Sequence, residues 1–532
     1  MDSSTFEPRF ITNVLYEEAR IRPDRTFCIQ SLSLDSVNGG WRRVTVADLA
    51  RAVDAFASWI EERIAPNGTP TRLAYVGSND ARYNICVLAC LKLGHCVSIL
   101  RPGKLLRSGD CSNLLFISKY RETAQEIQKS QENLQLCEVQ EISKWFDGPE
   151  TSSTPDYYCR ERASAQTRDA KVILYSSGTT GLPKAIPLPH GYFIALDYLQ
   201  HVPVPPGRVS TAPWLSNPEH PHILKTKLFH GSALSTWAAA ILHGTHFVLG
   251  PDVPLTAPLL KQIVAQTKAK TGLFVPDELT FLSSSAEGLE ALASLDCVSF
   301  VGVAMPTSVG NKISKLTRLQ SSIGITEAGF FYSLRPVKRE DWEYFEWNPD
   351  HPMEMRPYHD KCFQLVIPRP PGRYTHCVFL DFPHLQEFCT GDLYIQHPEN
   401  PALWKNVGRC DDMLKLQNSV LLLPHPIESS LAGHDLVSRA LVTTDHALLV
   451  VLIIEPWSAN QLLPGDVLDG IWPSIQKINE DLPREAQIAK DHVLIAPAGR
   501  PFQTTPKGSM RRRSVVQTYS DDIKGIPASG SA

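Results

Sequence analysis

From residue 176 to 184 the chain reads Ser176-Ser177-Gly178-Thr179-Thr180-Gly181-Leu182-Pro183-Lys184, hydroxyls and glycines closing on a lysine. Such a run suits an oxyanion. Glycine lets backbone N–H groups converge, the hydroxyls add donors, and the ammonium supplies charge. It follows directly on residues 171–175, a short apolar run with the composition of a buried strand. Taken alone, the loop reads equally as a flexible polar turn. A Walker A loop is excluded, because that motif needs four residues between its glycines and Lys-Ser/Thr straight after the second. Here Gly178 and Gly181 are three apart and Pro183 precedes the lysine.

Further along stand other residues able to do chemistry: Gly324-Ile325-Thr326-Glu327, Thr390-Gly391-Asp392, and Gly408-Arg409-Cys410-Asp411-Asp412. A carboxylate such as Glu327 can hold Mg²⁺ together with substrate phosphates. Each piece has an ordinary reading as well: Thr-Glu after Gly starts helices, and Gly-Asp marks turns. His230, within Leu228-Phe229-His230, reads by itself as a hydrogen-bonded structural histidine. Gly302-Val303-Ala304-Met305-Pro306 reads as core packing.

These residues need a scaffold, and the apolar pattern supplies one. Residues 44–64 carry Val46, Leu49, Val53, Phe56 and Ile60 at helical spacing, and residues 83–93 repeat the pattern before Gly94. Strand-like runs at 72–76, 96–100, 114–118, 171–175, 245–249 and 299–303 alternate with such segments, which predicts an α/β protein with mostly parallel sheets. Residues 232–249 read as a buried helix followed by a strand. A chain of 532 residues exceeds one compact core and predicts at least two domains. The boundary falls near residues 408–412, after which come a strand-like run at 440–455 and a helical pattern at 471–479.

Composition narrows the function classes. With 52 basic against 56 acidic residues there is no global positive field for a nucleic acid. The dense basic run Arg511-Arg512-Arg513 reads as a solvated helix face. No run approaches the ~18 uninterrupted apolar residues of a membrane span, and the start lacks the basic and apolar regions of a secretory leader. Twelve cysteines without paired spacing, with Cys86 and Cys90 read as buried thiols, point to a reducing, cytoplasmic setting.

Taken together and in order, the motifs resemble those of the adenylate-forming (AMP-binding) superfamily: acyl-CoA synthetases, luciferases and peptide-synthetase adenylation domains. The segment 390–412, with Pro501-Phe502 and Lys507-Gly508-Ser509-Met510-Arg511, is most similar to the adenylation domain of fungal synthetase-like adenylate-forming reductases. The resemblance implies a large multi-sheet N-terminal adenylation domain over residues 1–408 and a small α+β C-terminal lid domain over 409–532, hinged near Asp411. It implies ATP and Mg²⁺ as cofactors, a small-molecule carboxylic acid as substrate, and transfer of the acyl group to the thiol of a carrier protein in trans or of CoA, in fungal secondary metabolism.

Site roles follow from the same resemblance. Ser176, Ser177, Gly178, Thr179, Thr180, Gly181 and Lys184 hold phosphates; Gly324 and Thr326 contact the nucleotide, Thr326 at the α-phosphate. Glu327 holds the metal, Asp392 the ribose hydroxyls, and Arg409 the nucleotide. Lys507 is the lysine that bridges carboxylate and phosphate oxygens, and with Glu327, Thr326 and His230 it makes up the implied catalytic set. Phe229, His230, Gly302 and Ala304 line the acyl pocket, and His230, standing where α-amino-acid activators place an aspartate, points to an aryl or other non-α-amino acid.

The sequence also departs from the family pattern. Ile323 replaces the ring that faces adenine, an apolar run at 415–424 replaces a Gly-containing turn, and Asp435 in Leu431-Ala432-Gly433-His434-Asp435-Leu436 stands where a carrier motif needs serine. That segment reads as a loop of the small domain. The altered turn puts the thiol step in question, and with Ile323 it supports a rival expectation: a nucleotide-binding scaffold with weakened catalysis.

Overall fold

The computed structural model describes residues 6–101, 111–129, 131, 133–147, 169–176, 184–215, 218–351, 353–370, 376–457, 462–504 and 510–526. Two large sheets are parallel except at one edge. The first has seven strands in the order Arg318–Ser321, Cys297–Phe300, Thr271–Phe274, His222–Leu224, Phe247–Leu249, Thr26–Ser31 and Trp41–Thr45, only the last pair antiparallel. The second has six, Gln135–Val139, Asn113–Ile117, Arg72–Val76, Cys96–Ile99, Ala170–Ser176 and Lys184–Pro189, again closing on an antiparallel pair.

One apolar cluster spans both sheets, joining Phe27, Val44 and Phe247 of the first to Leu73, Val97 and Val172 of the second. The helices between them are apolar nearly all round, as a helix covered on every side must be. Residues Ala233 to Leu242 of helix Gly231–Leu242 are all buried, and its consecutive alanines Ala238, Ala239 and Ala240 let neighbouring backbones come close. Helix Val46–Arg63 starts in a capping box between Thr45 and Asp48, which the periodicity alone did not show. Asp197, fully buried in helix His190–Tyr198, accepts two hydrogen bonds from Arg9, at 3.0 and 2.9 Å.

The expectation of mostly parallel sheets needs correction for a third sheet, whose six strands are antiparallel throughout: Ser333–Leu334, Tyr344–Trp347, Leu403–Arg409, Glu387–Gln396, Cys362–Pro368 and Glu354–His359. Short loops here permit hairpins where a parallel pair would need a crossover. The predicted strand at 299–303 lies instead at Cys297–Phe300, and residues 301–305 form a loop beyond it.

Beyond residue 410 the chain builds two apolar clusters of its own, drawn from residues 414–495 and 441–526. The strand-like run at 440–455 is two antiparallel strands, Val437–Thr444 and Val450–Pro456, with Leu448 at φ 60° in the turn between them; Val493–Ile495 adds a third strand, parallel to the second. The predicted helix at 471–479 extends over Pro464–Glu480. Residues 432–436 form the loop expected after helix Pro424–Leu431.

Arg512 does not lie on a solvated face. It opens helix Arg512–Thr518 and donates to both carboxylate oxygens of buried Glu428, each at 2.7 Å, and to the Val442 carbonyl at 2.7 Å. Burial pushes the Glu428 carboxyl up, and Arg512 opposes that shift. Arg512→Met strands this carboxylate away from its partner, so we expect a loss of about 3 kcal/mol in the stability of the C-terminal segment. Urea unfolding of Arg512→Met beside Arg513→Met, whose side chain is exposed, measures it; equal midpoints would refute it.

Candidate active site

A cleft of about 610 Å³ opens between the sheets, and most of the described residues singled out from sequence meet there: Lys184, His230, Gly302, Ala304, Gly324, Thr326, Glu327, Asp392 and Arg409 all line it. The elements explain why. Lys184 begins the edge strand of the second sheet, directly opposite Ser176, so the two ends of the loop 176–184 are held side by side by strand pairing. Ser177, Gly178, Thr179, Thr180 and Gly181 lie outside the described residues, as does Lys507. Its described neighbours Thr504 and Met510 form an antiparallel bridge.

Thr326 and Glu327 do not start a helix. They form the turn of a small hairpin, Gly324–Ile325 with Gly329–Phe330. Two glycines make it possible. A Cβ on Gly324 would lie 2.5 Å from the Gly329 carbonyl oxygen, and Gly329 takes φ 81°. The turn is also pinned from outside by Cys377, whose Sγ donates to the Glu327 carbonyl at 3.1 Å. Glu327 faces the ammonium of Lys184 across the cleft, 3.4 Å away.

Asp392 and Arg409 are register partners on adjacent antiparallel strands, Glu387–Gln396 and Leu403–Arg409. Arg409 donates to Asp392 at 2.8 Å, to the Thr390 carbonyl at 3.3 Å and to Asp411 at 3.2 Å. Burial pushes the Asp392 carboxyl up to about 6, against the pull of Arg409 and with smaller pushes from Asp411 and Glu327. Gly391, at φ 79°, lets the guanidinium in, since a Cβ there would sit 2.8 Å from Arg409 Nη2. Asp411 itself is largely exposed at the point where the chain leaves the third sheet.

His230 occupies the cap position before helix Gly231–Leu242, with backbone extended and no side-chain cap. Gly231 brings this turn against Thr326, its would-be Cβ lying 3.8 Å from Thr326 Oγ1. Phe229 is not brought to the cleft: it packs on the main core, its ring 4.6 Å from that of His230. The segment is fastened from behind, where Asn79 accepts the Leu228 N–H at 2.7 Å and Lys227 pairs with Asp252. Gly302, at φ 109°, and exposed Ala304 lie on the loop after strand Cys297–Phe300, on the cleft wall. Ile323 also lines the cleft, packed partly against the third sheet's core.

Sequence reasoning missed several cleft residues: Tyr192, Trp214, Thr226 and Ser235, and a polar rim of Glu343, Lys405 and His425, in which Lys405 meets Glu343 at 3.0 Å. They are scattered along the chain in ordinary helix, strand and loop contexts, and no spacing marks them out. Among the described residues no group of three or more His, Cys, Asp or Glu forms a metal cluster, and no helix is long and apolar enough to cross a membrane.

Comparison with known proteins places this geometry. The family model "AMP-binding enzyme" matches residues 15–346, and "AMP-binding enzyme C-terminal domain" matches 411–529. Among curated relatives, a carboxylic acid reductase of Neurospora crassa is 25% identical over 97% of this chain and 50% of its own length. An isocyanide synthase-NRPS hybrid of Aspergillus fumigatus is 26% identical over 97% of this chain and 33% of its own. The chain thus spans half or less of the length of these relatives. In fold it is similar to an anthranilate CoA ligase solved with anthranoyl-AMP (TM-score 0.71, 15% identity, 97% of this chain and 99% of that one). A benzoate CoA ligase of Burkholderia xenovorans is equally similar (TM-score 0.71, 17% identity, 95% and 99%). With most of its length matched by the family model and the motif residues gathered on one cleft, the chain belongs to the AMP-binding, adenylate-forming enzymes.

Proposed function

We propose that the cleft binds ATP and a carboxylic acid and joins them as an acyl-adenylate, the acid being aryl or otherwise not an α-amino acid. The observation that carries this reading is the convergence of Lys184, Glu327, Asp392 and Arg409 on one cavity whose wall also holds His230. In the reaction the substrate carboxylate attacks the α-phosphorus and pyrophosphate leaves, so the protein's work is positioning and charge neutralisation. Lys184, with the hydroxyls and N–H groups of residues 176–181, takes the outer phosphates. Thr326 takes the α-phosphate, and Gly324 gives the nucleotide a close backbone surface. Asp392 accepts from the ribose hydroxyls, and Arg409 holds Asp392 in place while contacting the nucleotide.

A divalent cation fits at Glu327, a partly exposed carboxylate beside Lys184, and Mg²⁺ bound there would neutralise phosphate charge. His230 offers the acid no anionic partner for an α-ammonium. Gly302 and Ala304 leave room beside it. Lys507, on a small lid domain of residues 409–532 hinged at Asp411, is assigned to bridge the reacting oxygens; rotation about that hinge withdraws it and admits a thiol of CoA or of a carrier protein. The setting we assign is the cytoplasm and fungal secondary metabolism, the latter supported by fungal relatives that include an isocyanide synthase-NRPS hybrid.

A rival reading, a nucleotide-binding scaffold, draws on two observations: Ile323 offers adenine contact without stacking, and the hairpin Leu414–Lys415 with Leu421–Leu422 turns through Asn418 and Ser419 at φ 53° and 60°. Acid-dependent exchange of pyrophosphate into ATP over aryl and fatty acids separates the two. Lys184→Ala and Lys507→Ala should each cut exchange by about a hundredfold or more. Nucleotide binding without exchange for any acid would establish the scaffold, and exchange indifferent to Lys507→Ala would remove that residue from the mechanism.

The Asp392 carboxyl, pushed up to about 6, gives a second check. Protonation removes the acceptor that the ribose hydroxyls need, so affinity for adenosine, which has no phosphate to titrate in this range, should hold above pH 6 and fall as pH drops through that value. Asp392→Asn should bind weakly at every pH and lose the dependence. Calorimetric titration across the range measures both, and a wild-type profile flat from pH 7 to 5 would contradict the ribose role.

A further inference from the structure

Thr326 and Glu327 are carried by a hairpin too small to hold itself. Its strands, Gly324–Ile325 and Gly329–Phe330, are two residues each and, among the described residues, pair with no third strand. An isolated two-stranded hairpin is marginal in water, so its place in the cleft is set by what touches it. On one side the Phe330 ring meets Trp214, centroids 5.1 Å apart, and the Tyr192 ring lies beside Gly329. Both contacts fall on the second strand. The Glu327 peptide is held from elsewhere.

Cys377 donates to the Glu327 carbonyl at 3.1 Å, and it stands where two apolar clusters meet. Its side chain, 1% exposed, belongs to the main core, while Val378 and Phe379, next in the chain, join the third sheet's cluster together with Ala328 and Phe331. A thiol is a weak donor. Fixed by close packing on both sides, this one still sets where the carbonyl can lie. The helix that follows, Val378–Asp381, packs against strand Lys184–Pro189, whose first residue is the lysine facing Glu327 at 3.4 Å. One short segment therefore touches both sides of the Lys184–Glu327 gap.

We infer that residues 377–381 brace this gap, and that Cys377 is a positioning residue for the divalent cation proposed at Glu327. The inference rests on that proposed role of Glu327. A ligating carboxylate is aimed only as well as its backbone is held, and partners standing behind a metal ligand are worth about 10- to 100-fold in metal affinity. Cys377 acts through the Glu327 peptide and contacts neither cation nor nucleotide. Without its hydrogen bond the carboxylate is present but poorly aimed. The cost falls on the phosphate end of the cleft and spares Asp392 and Arg409.

The test reads the two ends of the cleft separately. ATP is titrated calorimetrically into the full chain in Mg²⁺ and in EDTA, and adenosine probes the Asp392–Arg409 end. Cys377→Ala should lower ATP affinity in Mg²⁺ about tenfold, with ATP affinity in EDTA and adenosine affinity unchanged. Cys377→Ser keeps a donor and should recover most of the loss, a rescue that a packing role alone would not show; Glu327→Gln gives the full effect of losing the ligand. Wild-type affinity in Mg²⁺ for Cys377→Ala would overturn the inference, and so would a loss shared by adenosine or one that Cys377→Ser fails to recover. A wild-type chain that does not bind ATP, or binds it equally in Mg²⁺ and EDTA, would overturn the inference together with the cation role of Glu327. A Mg²⁺ effect that depends on Cys377, without pyrophosphate exchange for any acid, would support the inference and defeat the activation reading instead.

Discussion

Arg409 sits between two carboxylates, 2.8 Å from Asp392 and 3.2 Å from Asp411, and much of the site depends on that placement. Asp392 is nearly buried, and an isolated carboxylate there would be driven to its neutral form. The guanidinium keeps a charged acceptor available in the cleft. It can do so because strand pairing sets Arg409 opposite Asp392 and because Gly391 has no side chain in its path. A guanidinium suits this better than an ammonium would, since its planar fork reaches both carboxylates and a backbone carbonyl at once. The same contact ties the third sheet to the residue from which the C-terminal segment departs.

Opposite this pair, Lys184 and Glu327 meet with less support. Lys184 is largely exposed, and the pair is 3.4 Å apart. Such an ion pair adds little to stability. In the proposed function Lys184 and Glu327 exchange each other for phosphate and cation, whereas Asp392 and Arg409 are set opposite each other by strand pairing. Under the proposed assignment, the buried, strand-held pair is the nucleoside end of the cleft and the more exposed pair its phosphate end.

How much of this could be read from residues alone differs by kind of interaction. The strand ending at Ser176, the helix at Val46–Arg63 and the apolar helix Gly231–Leu242 announce themselves by periodicity, because their burial is uniform along one or all faces. The ordered motifs around Lys184, Glu327, Asp392 and Arg409 were legible since each is a compact string. The antiparallel third sheet was not, as its strands mix buried and half-exposed positions without clean alternation. Arg512 looked like part of a solvated basic run because its partner Glu428 lies far away in sequence. Phe229, expected in the acyl pocket, turned to the core, and Tyr192, Trp214, Thr226 and Ser235 came to the cleft through packing that no local pattern encodes.

The Glu428–Arg512 contact bears on how the chain emerges during synthesis. Glu428 and the strands Val437–Thr444 and Val450–Pro456 leave the ribosome well before Phe502, Val515, Tyr519 and Ile523, which complete the second apolar cluster with Leu441, Val451 and Ile453. Until those late residues arrive, one face of the new sheet is bare and a carboxylate destined for burial has no cation. The early-emerging sheets need nothing from this region for their main core. Nascent chains therefore pass through a stage in which the large sheets can already be packed while the C-terminal sheet is still an open, aggregation-exposed edge, a natural point for chaperone capture.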